Sequence, residues 1–115
     1  MNTKIMLFAA MSIALAGCGG GVSTPEQVRG TWGTDCSTPT LQVDDSALHI
    51  LYPNKQDFTL TASDFDGKNW NATFENGGKK ITDGYVLEDG TLRLENVTVD
   101  GNSFSGDKTK LNKCG

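Results

Sequence analysis

From Gly30 onward, apolar and polar residues alternate in short runs, the period expected of strands with one face buried and the other wet. Leu41 and Val43 alternate before Asp44-Asp45-Ser46, and Leu48, Ile50 and Tyr52 before Pro53-Asn54-Lys55. Phe58, Leu60 and Ala62 do so before Asp66-Gly67, and Trp70, Ala72 and Phe74 share a face ahead of Asn76-Gly77-Gly78. The run from Ile81 to Leu87 leads into Asp89-Gly90, a dipeptide suited to a primed hairpin turn. Leu92, Leu94, Val97 and Val99 mark a longer strand ending at Asp100-Gly101-Asn102. Ser103 to Leu111 supplies the last strand, with Phe104 turned inward. With Gly30-Thr31-Trp32 as the opening strand, the pattern predicts an all-β fold, an antiparallel meander of about eight strands. Just before it, Thr24-Pro25-Glu26-Gln27 fits a short helical turn, with Thr24 capping, Pro25 at the first helical position and Gln27 reaching back.

Upstream the pattern changes. Lys4 is followed by an uncharged stretch from Ile5 to Leu15, then by small Ala16 and Gly17, Cys18 and three glycines. The apolar run has the layout of a secretory signal and is too short to cross a bilayer. The string Leu15-Ala16-Gly17-Cys18 resembles the lipobox of bacterial lipoproteins. That resemblance implies cleavage before Cys18, a thioether-linked diacylglycerol on Cys18 and acylation of the new amino terminus; the rest of the chain carries no cofactor motif, so no other cofactor is expected. At about 0.8 kcal/mol per buried methylene, two or three acyl chains hold a protein at a membrane stably. Gly19 stands where the family's inner-membrane retention signal carries aspartate, which implies the outer membrane, with the domain facing the periplasm or the cell surface. The expected organisation is a signal peptide over 1–17, the lipidated cysteine and a glycine-rich tether over 18–23, and one β domain over 24–115.

Cleavage leaves 98 residues with nine basic and fourteen acidic side chains, a formal charge of −5 and enough chain for one small core. That balance argues against nucleic acid as a partner and against adsorption to anionic lipid through side chains. It suits solubility, and it would attract a basic protein partner. In the oxidising compartment implied by the lipobox, Cys36 and Cys114 are expected to pair. A redox or metal role is poorly supported, because there is no Cys-x-x-Cys and His49 is the only histidine. A disulfide requires α-carbons within about 7 Å, so the two ends of the domain should be neighbours. A meander with paired ends is a small up-and-down barrel closed by one disulfide. The alternative is an open or flattened β-sandwich of the same strands.

A short helical turn followed by Gly30-x-Trp32 is similar to the opening signature of lipocalins and related calycins. The similarity implies that Trp32 seals the barrel base and that a small apolar ligand is carried inside. A lipidated, disulfide-closed barrel of this size also resembles the periplasmic inhibitors of lysozyme, which present loop serine and lysine residues to the enzyme's acidic cleft. The stretch that matches is Ser105-Gly106 with Lys108 or Lys110, although Asp107-Lys108 stands where that family has an aromatic residue.

Catalytic constellations are not evident. His49 alternates with Leu48 and Ile50, which puts it on the solvent face without a nucleophile to activate. Asp44-Asp45 and Glu88-Asp89 fall at hairpin tips, where aspartate serves turn geometry. The stretch from Asp64 to Glu75 imitates part of a calcium loop, but Lys68 and Asn69 occupy positions that need an oxygen ligand and a glycine. The leading expectation is therefore a membrane-anchored protein-binding or inhibitory module rather than an enzyme or a metal protein. A carrier of a small apolar ligand and an envelope structural or assembly factor are the alternatives. The interior discriminates: filling by Phe58, Trp70, Phe74 and Phe104 favours surface recognition, whereas a cavity of several hundred cubic ångströms favours the carrier.

Overall fold

A computed structural model describes residues 22–115. The lipobox, Cys18 and the triple glycine lie outside the described residues. Among the described residues, ten strands follow one 3-10 turn, Glu26–Val28. They are β1 (Gly30–Gly33), β2 (Leu41–Val43), β3 (Ala47–Ile50), β4 (Gln56–Thr59), β5 (Ala62–Phe65), β6 (Asn69–Asn76), β7 (Lys79–Glu88), β8 (Thr91–Val99), β9 (Asn102–Ser105) and β10 (Leu111–Lys113). All pairings are antiparallel. Nine strands run in the order β4-β3-β2-β1-β10-β8-β7-β6-β5, and β9 lies off this path against β8. The nine curl through 288° into an open half-barrel.

The ends of the chain meet as the cysteines require. Asn112 and Lys113 of β10 pair with Gly33 and Trp32 of β1, and the Cys36–Cys114 disulfide spans α-carbons 5.4 Å apart. Linking residues 78 apart in sequence stabilises the fold by roughly 4 to 5 kcal/mol in the chain-entropy model. Gly30, at φ +126°, lets this junction close: a β-carbon there would collide with the carbonyl oxygen of Gly115, which accepts a hydrogen bond from the Thr31 amide.

The opening lies elsewhere. The two free edges are β4 and β5, consecutive strands joined only by Leu60 and Thr61, so the expected continuous strand through Phe58, Leu60 and Ala62 is split between opposite edges of the sheet. Full closure fails at this seam because the linker's amides bond sideways, Leu60 to the carbonyl of Ser46 and Thr61 to that of Thr73. Side chains bridge the gap instead. Phe58 stacks on Phe74 with ring centroids 4.4 Å apart, and Leu60 of the linker is buried in the core.

Alternation places the core as the sequence pattern predicts along β1, β2, β3 and β6. Trp32, Leu41, Val43, Leu48, Trp70, Ala72 and Phe74 are all buried in one cluster with Val28 and Leu92. The expected last strand from Ser103 to Leu111 is instead two strands, β9 and β10, separated by Gly106–Lys110. Its Phe104 points out, 57% exposed, because β9 pairs only with the distal half of β8 and every residue of β9 is exposed.

The entrance also differs from expectation. Thr24 is buried, but its hydroxyl donates to the carbonyl of Asp44 at 2.6 Å rather than capping its own turn. Its amide bonds the carbonyl of Asp45. The turn is thus fastened beneath the β2–β3 hairpin, where Arg29 adds bonds to the Thr24 hydroxyl and carbonyl. Val22 packs onto the same core.

Candidate functional site

The 3-10 turn closes one end of the half-barrel. Val28 is fully buried there, and the Trp32 indole N–H donates to its carbonyl at 2.9 Å, which fixes the ring across the interior. Lys113 lays its ammonium over the same ring at 5.7 Å from the centroid.

The other end is not filled. A cleft of about 420 Å³ opens where β1 ends, β2 begins and β3 ends. Its floor and walls are Leu41, Ile50, Leu94, Leu111 and the ring of Tyr85, all facing the interior from five different strands. Threonines 34, 40 and 109 with Asp107 form a polar rim, and Tyr52-Pro53 forms a lip. Tyr52, expected to face inward in the alternation of its strand, lies beyond the end of β3 and is 59% exposed. Of the aromatic filling expected of the interior, Phe58 and Phe74 close the seam, Trp70 backs the Tyr85 wall, and Phe104 is outside.

Below the cleft lies a group that no turn or cap explains. Ile81, Asp83, Tyr85 and Leu87 share the inward face of β7, and Asp83 is only 8% exposed. Opposite it on β6 stands Ala72, fully buried, and on β8 stands Val97. The Tyr85 hydroxyl donates to Asp83 Oδ2 at 3.1 Å. Burial pushes the Asp83 carboxyl up to about 6, with the tyrosine bond acting weakly the other way. Burial, then the nearby Asp83 and Asp107 carboxylates, hold the Tyr85 hydroxyl protonated well above its usual range. Tyr85 is itself held in place by stacking on Trp70 at 5.2 Å, and the Trp70 indole donates to Ser63 Oγ. The alternation of Ile81, Asp83, Tyr85 and Leu87 carried this signal, a carboxylate on an otherwise apolar face.

His49 does face away from the core, but it is not a free surface residue. Its ring sits between two carboxylates, Nε2 at 2.6 Å from Asp44 Oδ2 and Nδ1 at 2.6 Å from Asp57 Oδ1. A carboxylate oxygen accepts, so this placement favours the protonated ring, in which both nitrogens can donate. The hydrogen bond to Asp57 is the main cause of its raised pKa, opposed by desolvation and aided by Asp44. With both nitrogens engaged by carboxylates, neither is free to bind a metal ion or to take a substrate proton. Among the described residues no cluster of three or more His, Cys, Asp or Glu is arranged to hold a metal.

The residues matched to the inhibitor loops are near one another but not organised as a site. Ser105 is exposed, its hydroxyl bonded only to the Gly106 carbonyl at 3.5 Å. Lys108, in the left-handed region at φ 61°, brings its ammonium to 3.9 Å from Glu95, and Lys110 is exposed. Gly106 between them is held tightly, because a β-carbon there would strike the Leu94 carbonyl. Asp66 and Asn69, in the stretch that imitates a calcium loop, form a compact turn in which Asp66 accepts the amides of Lys68 and Asn69. No family model, curated protein or solved structure matches the chain.

Proposed function

We propose that this protein is a bacterial envelope lipoprotein whose half-barrel holds a small, largely apolar ligand in the open mouth. The observation that carries the reading is the cleft itself, about 420 Å³ with an apolar floor, a threonine rim and an aromatic lip. Small-molecule sites have this construction: apolar walls supply affinity, and a few polar groups fix orientation. At the 3-10 turn Val28 and Trp32 are buried and hydrogen-bonded to each other, so the mouth is the entrance left for a ligand. Anchoring through Cys18 would keep this mouth at the outer membrane, and binding rather than catalysis agrees with the engagement of both His49 nitrogens.

Titration of the full chain with an environment-sensitive naphthalene fluorophore tests the reading. One saturable site is expected, with Leu94→Trp abolishing binding by filling the floor while leaving the unfolding transition in place. Absence of saturable binding, or equal binding by the filled variant, contradicts it. The membrane assignment has its own check. Mass spectrometry of the amino-terminal peptide should find Cys18 diacylglyceryl-modified, and an unmodified Cys18 refutes the anchor.

Protein contact or inhibition is a second reading, favoured by a different feature. Phe104, beside Ser105 on the β8–β9 hairpin, is a large apolar side chain left 57% exposed. Full lysozyme activity in the presence of excess protein rejects the inhibitory version.

A further inference from the structure

Resting on the reading of the mouth as a ligand site, we infer that its ligand is a small organic cation, an amine or quaternary ammonium joined to an apolar body. The charge arrangement of the cleft carries this. Among the eleven residues that line it, Asp107 alone is charged, and neither lysine nor arginine is present. A carboxylate ligand such as a fatty acid would meet Asp107 at the rim and, behind the Tyr85 hydroxyl, the nearly buried Asp83, with no cation in the lining to neutralise it. The nearest lysine in sequence, Lys108, directs its ammonium to Glu95.

Aromatic placement points the same way. Tyr52 stands at the lip and Tyr85 in the wall, and the faces of such rings attract cations through their quadrupoles while the ring edges pack against alkyl groups. Tyr85 cannot turn freely to present its hydroxyl to an incoming anion, because that proton is already donated to Asp83 and the ring is stacked on Trp70. An ammonium seated between the Tyr52 ring and the Asp107 carboxylate, with its apolar body over Leu41, Ile50, Leu94 and Leu111, satisfies both ends of the cleft.

Three probes sharing one apolar body separate the possibilities: benzyltrimethylammonium, benzyl alcohol and benzoate, titrated calorimetrically into the full chain carried in lipid nanodiscs. The cation is expected to bind about tenfold or more tighter than the alcohol, with benzoate weakest. Asp107→Asn should bring the cation-to-alcohol ratio close to one without changing affinity for the alcohol. Asp89→Asn, which removes the same charge at a hairpin turn outside the cleft, should leave the ratio unchanged. Benzoate binding as tightly as the cation, or a ratio unaltered by Asp107→Asn, overturns the cation assignment while the pocket stands. Failure of all three probes to bind overturns the pocket as well.

Discussion

Two side chains, His49 and Asp83, hold a proton more tightly in the folded molecule than in the unfolded chain, and they act at opposite faces of the same sheet. His49 is raised above its ordinary 6.5 chiefly by its bond to Asp57, so the folded chain holds that proton more tightly than the unfolded chain. Its stabilising contribution is complete below about pH 6.5 and is lost as pH climbs through the folded value. Thermal unfolding of wild type and His49→Gln should therefore differ most below about pH 6.5 and converge as pH rises through the folded value. A gap that widens with pH would show that the ring is neutral between its two carboxylates.

Asp83 has the same sign for a different reason. Burial raises it from 3.8 to about 6, so its ionisation costs the fold roughly 3 kcal/mol at about 1.4 kcal/mol per pH unit, and stability falls as pH rises across that window. Asp83→Asn keeps the shape and cannot ionise; it should flatten the stability profile between about pH 4 and 6 and leave the variant more stable than wild type at pH 7.5. Chemical denaturation across that range reads both effects. Retention of the wild-type slope in the variant would place the titration elsewhere.

At the scale of elements, the seam between β4 and β5 is the weak place in the sheet, since no ladder of backbone bonds crosses it. Phe74 is 4% exposed and carries the stack with Phe58, so Phe74→Ala should cost about 3 kcal/mol or more. Amide exchange should then quicken first in Gln56–Thr59, before β7 and β8, and uniform loss of protection would show that the seam does not open separately. The strands themselves were legible in the sequence because alternation is a local signal. The seam was not, since Phe58, Leu60 and Ala62 alternate without interruption and only long-range bonding from Leu60 and Thr61 divides them. Phe104 misled for a related reason: alternation reports that a residue shares a face with its neighbours, not that anything covers that face. β9 has a partner strand but no layer above it.

For the whole molecule, cysteine usage foretold that β1 and β10 would meet, and the pairing of Asn112 with Gly33 and of Lys113 with Trp32 follows from it. The buried position of Trp32 was likewise readable from Gly30-x-Trp32. The cleft was not, because its lining is drawn from segments scattered between Thr34 and Leu111, none of which has a motif. What the curled sheet adds to its sequence is asymmetry, one end sealed by a 3-10 turn and a tryptophan, the other left open with an acidic, aromatic rim. The amide spectrum of the ¹⁵N-labelled protein titrated with benzyltrimethylammonium tests this account most directly. Saturable shifts should concentrate at Thr40, Leu41, Ile50, Leu94, Asp107 and Leu111. Shifts centred on Phe104 and the β8–β9 hairpin, or none that saturate, would contradict it.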